Sequence, residues 1–391
     1  MAGGVAMAAA VAIAGAQAPP PSRPAPQAAS PLVLSARAEA ELKIEQAIGH
    51  LYQLLLEQPG TPQAIQARLR LARLLALSGS DQAALAQCQR IREDVPSDSP
   101  YQTRALELAT IVSRRVRVSS GFPLLPVFEA VVSRGIQSLD NPRTIEFESE
   151  SRFLLFDEGG SGRLYRVAPD ATSQLPVPRD MSAVSLLPGG GILMAGKDNL
   201  VAVSPARTFT LTGSWGGRTR QLKEIKSIAS TSTGDLLVVD GDFDGLLRCP
   251  AGGTSCAPWG VSTKLREVVV GAGDWVYALD DKGKIVRVFD STQKSLAVVG
   301  PSVGSMSLDK VENIAVDQSD GLYLLDKDLK RLFVVVMRAD ATGRIAPTSL
   351  GSVPLPQDGP MAVKNPSALG VAPSGAVYVA GRSSARVMRF Q

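Results

Sequence analysis

The sequence predicts a multidomain protein that is helical first and all-β afterwards, a stack of helical hairpins followed by a six-bladed β-propeller. Three observations predict it. Apolar residues between 34 and 117 recur at three-and-four spacing, and a shift of 37 residues superposes one part of that stretch on the next. After residue 120 the helical period gives way to six short β-rich segments separated by Gly, Asp and Ser turns. Their starts, Ile145, Val184, Ile228, Val268, Ile314 and Leu369, lie 39, 44, 40, 46 and 55 residues apart, which is the spacing of propeller blades and too short for strand–helix–strand units.

At the N-terminus, residues 2–16 are small and apolar and end in Ala14-Gly15-Ala16. The stretch is too short to span a bilayer and reads as a signal peptide over 1–16, which places the protein in the periplasm or outside the cell. Residues 17–33 are rich in Pro and Ala and are expected to form a stiff linker. No later segment offers the roughly 18 uninterrupted apolar residues of a membrane span.

The helical part is expected over 34–120, with helices at about 36–57, 62–78, 81–94 and 100–117. Pro59-Gly60 stops the first. Thr61-Pro62 and Ser99-Pro100 each place a capping hydroxyl before a proline at the first helical position. The 37-residue shift lays Ala47 on Ala84, Leu51 on Cys88, Leu54 on Ile91 and Pro59 on Pro96. Small residues at Ala72 and Ala84 let antiparallel helices approach closely. The block Leu71, Ala72, Leu75, Gly79, Ala84, Cys88, Ile91, Pro96 resembles the tetratricopeptide repeat, which implies an exposed concave face for a protein partner. His50, beside Ala47 and Leu51, reads as a helix residue, and Cys88 as an inert core thiol.

The propeller is expected over 121–391. Most segments read as strand, Gly turn, strand, polar turn, strand, with Gly191, Gly234, Gly273, Gly321 and Gly375 supplying positive φ in the first turn. Ile314-Ala315-Val316-Asp317 with Asp320-Gly321-Leu322-Tyr323-Leu324-Leu325-Asp326 resembles the NHL repeat, whose family forms six-bladed propellers. The last segment ends at Phe390 after its third strand, so an earlier segment must supply the outer one. A strand within 128–140 is expected to do so and to close the ring.

Few residues point to chemistry. Lys+Arg 41 against Asp+Glu 37 gives +4, with 12 basic and 9 acidic side chains over 19–120 and 29 and 28 beyond, so no clustered basic face for nucleic acid is indicated. With His50 as the single histidine, no catalytic triad or multi-His metal site is available after residue 120. Asp157, Asp240, Asp280 and Asp326 end the second strand of four blades, with Gly196 and Ala380 in the other two. They read as hairpin caps accepting backbone N–H bonds, against a ring of cation ligands. Asp240, Asp242 and Asp244 with Gly245 start a D-x-D-x-D-G loop and are a calcium candidate, although Arg248 and Ala251 stand where its later ligands belong. Cys249 and Cys256 flank a Gly-rich turn and are a disulfide candidate. Trp215, Trp259 and Trp275 stand in or beside blade loops and are candidates for a recognition surface, with a buried role open for Trp275.

These features point to an exported, non-enzymatic scaffold that binds protein partners of the cell envelope through its helical and propeller surfaces, with calcium as its only candidate cofactor. The turns after the second strands, including 240–245 and 280–284, are the expected binding face. Two alternatives remain. One is a metal-dependent lactonase similar to the gluconolactonase and regucalcin family, although Glu312-Asn313-Ile314 stands one place out of that family's register. The other is a glycan-binding propeller.

Overall fold

In a computed structural model of the chain, the described residues are 29–120, 128–131, 136, 138–160, 162–203, 206–215, 218–260, 262–340, 342–359, 362–383 and 386–390. The expected signal peptide over 1–16 and most of the expected linker lie outside them. Five helices come first: α1 (Pro31–Ala40), α2 (Ile44–Glu57), α3 (Pro62–Leu77), α4 (Asp81–Asp94) and α5 (Pro100–Ser119). Helix α1 starts inside the stretch expected to be linker.

The start signals act as expected. Thr61 Oγ accepts from Ala64 N with Pro62 at the first position of α3, and Ser99 Oγ accepts from Tyr101 N with Pro100 opening α5. The helix expected over 36–57 is broken instead at 41–43. Lys43 N bonds to Ala38 O across that turn, with Leu42 held at φ 60°. Leucine rarely occupies that conformation, and no Gly or Pro marks the break. A hairpin of the propeller packs against this turn, with Gly343 so close that a Cβ there would lie 2.3 Å from Leu42 O.

Six blades follow, over 142–175, 181–209, 225–259, 265–299, 311–354 and 366–390. Each sheet is an antiparallel meander. The sixth blade has three strands of its own, and Phe128–Val131 adds the fourth, pairing Phe128 with Phe390 and Val131 with Val387. The ring thus closes by joining the two ends of the propeller sequence, which covers the edge that Val387–Phe390 would otherwise leave open. An unforeseen hairpin, Thr212–Trp215 with Arg218–Gln221, joins the third blade by a parallel pairing of Thr212–Gly213 with Ser255–Cys256. Cys249 and Cys256 form a disulfide between the third and fourth strands of that blade.

The apolar clusters between neighbouring blades follow from strand alternation, each inner strand sending side chains to both sides. One cluster differs. It runs without interruption from the helices, through Leu71, Leu74 and Val112, into Trp275, Tyr277, Leu324 and Val335 of the fourth and fifth blades. Helices and propeller therefore share one core.

Two outcomes follow from burial. Cys88 is buried, and burial pushes its thiol up to about 12, while the other two cysteines are bonded to each other. A thiol reagent at about pH 8 is therefore expected to label none of the cysteines in the native chain. It should label one, Cys88, after unfolding without reductant, as read by mass spectrometry.

Candidate functional site

Of the propeller's two faces, one carries the turns between first and second strands and is termed the lower face. Helices α3 and α5 lie against it. Arg73 of α3 pairs with Asp320 at 2.8 Å, Arg114 donates to Gly375 O at 2.6 Å, and Glu107 accepts from Gln318 at 2.8 Å. Arg115, 2% exposed, meets Asp317 at 3.5 Å and also donates to Ser319 O and Oγ. Further out, Arg338 on the long third strand of the fifth blade forks onto both oxygens of Asp81 at the start of α4, at 2.9 and 2.7 Å. Asp317 is thus the centre of the joint: its carboxylate also accepts from Ser319 N, Gly321 N and Tyr323 Oη.

The turn glycines have a second purpose here. The left-handed residues are Gly189 and Gly190 in the second blade, Asp274 in the fourth and Asp320 in the fifth, not the expected Gly191, Gly273 and Gly321. A Cβ on Gly273 would lie 2.4 Å from the Arg73 guanidinium, and one on Gly375 would lie 2.8 Å from Ile111. Their bare backbones admit the helices. Between helices and lower face a cleft of about 1100 Å³ remains, lined by Arg70, Tyr101, Arg104, Glu107, Glu148 and Glu150 among others.

The opposite, upper face is where the inner strands begin. All six carry the same irregularity, a register skip at Arg143, Ser182, Lys226, Arg266, Glu312 and Ser367. One extra residue in a strand re-aims its side chain. Five of the six line a funnel of about 530 Å³ on the propeller axis, and Ser367 instead donates to Pro142 O at 2.8 Å. Neighbouring blades brace the ring. Ser182 donates to Ile225 O and Ser227 Oγ accepts from Val268 N at 3.2 Å, while Asn313 of the fifth blade reaches past the sixth to donate to Arg143 O of the first at 2.9 Å.

The ring is charged and ordered. Glu312 takes Arg266 at 2.9 Å on one oxygen and lies 3.9 Å from Arg143 on the other. Arg266 also donates to Asp281 O at 3.0 Å, and Arg143 to Glu158 at 2.9 Å. Deeper in the funnel, burial pushes the Glu146 carboxyl up to about 7 and that of Glu267 up to about 8, the latter although Ile314 N donates to it at 2.9 Å and Arg143 and Arg266 oppose the shift. Lys197, Lys310 and Lys327 stand at the rim.

The strand-ending aspartates lie around this face as caps. Asp157 accepts from the backbone of Asp140, Asn141 and Gly159 and pairs with Arg163. Asp240 accepts from Lys223, Glu224 and Asp242, and Asp326 from Asp309, Lys310, Asp328 and Leu329. Asp280 accepts from Lys284 and Ile285. Each ties the turn after the second strand, and three of them tie the incoming chain as well. Register makes Gly381, not Ala380, the sixth-blade equivalent of these aspartates. A Cβ on it would meet Lys364 O at 2.1 Å, so the incoming backbone fills the place of the carboxylate.

A calcium site does not fit these residues. Asp240 is committed to three backbone N–H groups, and Asp242 and Asp244 are exposed. Among the described residues no three Asp, Glu, Cys or His side chains converge as a metal site requires. The lactonase centre fits no better, because two guanidinium groups flank Glu312 where such an enzyme holds its cation. Trp259 and Trp275 are buried, Trp259 edge-on to Phe289 and Trp275 in the core shared with the helices. The side chain of Trp215 lies outside the described residues.

The chain matches no protein-family model and no curated protein in sequence. Among solved structures it is similar to a protein of unknown function from Bacteroides thetaiotaomicron, at 11% identity over 69% of this chain and 76% of that one, with a TM-score of 0.49. It is similar also to an auxiliary nutrient binding protein from Bacteroides ovatus, at 11% identity, 69% and 77% coverage and a TM-score of 0.49. A gluconolactonase from Xanthomonas campestris gives 11%, 65%, 87% and 0.47 in the same order. At such values the likeness carries nothing about the site.

Glu267 makes stability pH-dependent. The folded chain keeps its proton up to about 8, whereas the unfolded chain releases it near the ordinary 4.5, so rising pH penalises the folded state progressively between those values. In urea denaturation, Glu267→Gln should raise the midpoint relative to the parent at pH 9 and leave it unchanged at pH 4. Breaking the lower joint should also destabilise: Arg115→Ala removes the buried charge partner of Asp317 and should cost about 3 kcal/mol, and Asp317→Leu, which in addition unpairs Ser319 N, Gly321 N and Tyr323 Oη, should cost more, as read by urea denaturation.

Proposed function

We propose that this chain is an exported, non-enzymatic binding protein of the cell envelope, in which an NHL-type propeller binds through its upper face and a tetratricopeptide-like helical repeat serves as its fixed base. The observation that carries this reading is the opposite fate of the two faces. The lower face is spent on α3 and α5 through buried ion pairs and a shared apolar core. The upper face is open and presents a re-aimed side chain from five of the six blades, four of them charged. Binding sites favour such loops and rims held by a rigid scaffold.

The repeat assignments rest on residues that the structure puts to work. Ala72 and Ala84 are fully buried in α3 and α4, and Asp317 organises the first turn of the fifth blade. Export is supported by the small apolar stretch at 2–16 and by the Cys249–Cys256 disulfide, since such bonds persist in oxidising compartments. No helix among the described residues is long and apolar enough to cross a membrane. The absence of enzymatic activity is supported by the residue types of the funnel, where arginines, lysines and capped carboxylates stand without a histidine.

Asp242 and Asp244 project from the upper face, exposed, on a turn held from below by Asp240 and flanked by Arg220, which stacks over Phe243 at 4.4 Å. Reversing both charges (Asp242→Lys with Asp244→Lys) should weaken binding of an envelope partner by about tenfold, roughly 1.4 kcal/mol, with the thermal midpoint unchanged. Retention of a partner by tagged full-length chain from envelope extract, compared with this variant and with Arg104→Glu in the lower cleft, reads the outcome. Loss of the partner through the lower variant, but not the upper one, would overturn the assignment of faces.

A further inference from the structure

The funnel is lined by six cationic side chains, Arg143, Lys197, Lys226, Arg266, Lys310 and Lys327. Six carboxylates line it as well, but burial keeps Glu146 and Glu267 protonated towards neutral pH, which leaves four to face six cations. Glu158 and Glu312 are spent on the two arginines, and Glu224 and Asp281 are the other acids near the rim. Among the described residues none of the four lysine ammonium groups makes a salt bridge or hydrogen bond. Lys226 is the telling one, because the register skip in the third blade turns it into the mouth.

Arg266 is held ready by Glu312 and Asp281 O, which use two of a guanidinium's five N–H groups and leave the rest for a ligand. Arg143 is fixed likewise by Glu158. We propose that the funnel binds a small solute carrying an oxyanion group, a carboxylate or a phosphate, through Arg143, Lys226 and Arg266. This rests on the reading of the upper face as the binding face. Planar arginine forks and lysine point charges are the side chains that recognise such groups, and a cavity of about 530 Å³ takes a ligand of metabolite size.

The depth of the funnel agrees with an anionic ligand. Glu146 makes no hydrogen bond among the described residues, and burial alone holds its proton to about pH 7, so near neutrality it offers a donor in place of a repelling charge. Glu267 is protonated at the same pH, facing Arg143, Arg266 and Glu312.

Calorimetric titration of the full chain at pH 6.5 with inorganic phosphate, citrate and calcium chloride, each at low and at physiological ionic strength, tests the proposal. A dissociation constant of about 1 mM or tighter for phosphate or citrate, weakened by salt, is expected, and whichever of the two binds names the class of oxyanion. Lys226→Gln, an exposed substitution that leaves the fold intact, should weaken it about fivefold or more, and Arg266→Gln about tenfold or more. Arg220→Gln, on the same face outside the funnel, should not. No heat from either anion, equal affinity in Lys226→Gln, or binding of calcium alone would overturn it. Loss of anion binding with partner retention intact strikes this inference only, whereas loss of both strikes the upper-face reading.

Discussion

Arg115 and Asp317 meet almost wholly buried between α5 and the fifth blade, and the arrangement of the molecule depends on that contact. A guanidinium and a carboxylate taken out of water are costly apart, so once α5 supplies one and the fifth blade the other, the two units have little freedom to separate. Arg73 with Asp320 and the forked Arg338 with Asp81 set the orientation at two further points. The shared apolar core beneath them, from Leu71 to Val335, supplies the burial that polar pairs alone do not. The helices are thereby a base plate and not a second arm.

With one face closed, the repeated bulge at the start of each inner strand acquires meaning. Six blades share one backbone irregularity, and in five of them it points a side chain at a common axis, the residues being Arg, Ser, Lys, Arg and Glu. A repeat architecture thus builds an asymmetric polar ring from a symmetric backbone. Cross-blade bonds from Ser182, Ser227, Glu267 and Asn313 satisfy groups at the inner edges, which would otherwise face the channel unpaired.

Much of the fold was legible because periodicity records burial. The six segments, the helix starts at Thr61-Pro62 and Ser99-Pro100, and the missing outer strand supplied by Phe128–Val131 all follow from local pattern and from the demand for closure. The break at Leu42 was not legible, since no Gly or Pro marks it and the hairpin packed against it, at Gly343, lies three hundred residues away in sequence. The joint was half legible: Asp317 and Asp320 stood out as the best NHL-like copy, but nothing local pairs them with Arg115 and Arg73. The ring left a trace that alignment of the segments reveals, because Arg143, Ser182, Lys226, Arg266, Glu312 and Ser367 each stand two residues before a segment start. Residue type varies too much there for the position to announce itself. The D-x-D-x-D-G loop misled in part, because a cap and a calcium loop both require a leading aspartate.

Native-state hydrogen exchange of the full chain in rising denaturant tests most directly whether helices and propeller form one locked body with one working face. The account predicts that the slowest amides of α3, α5 and the inner strands of the fourth and fifth blades converge on a single opening free energy. Helix amides that exchange through their own lower-energy opening, with those blade amides undisturbed, would contradict it.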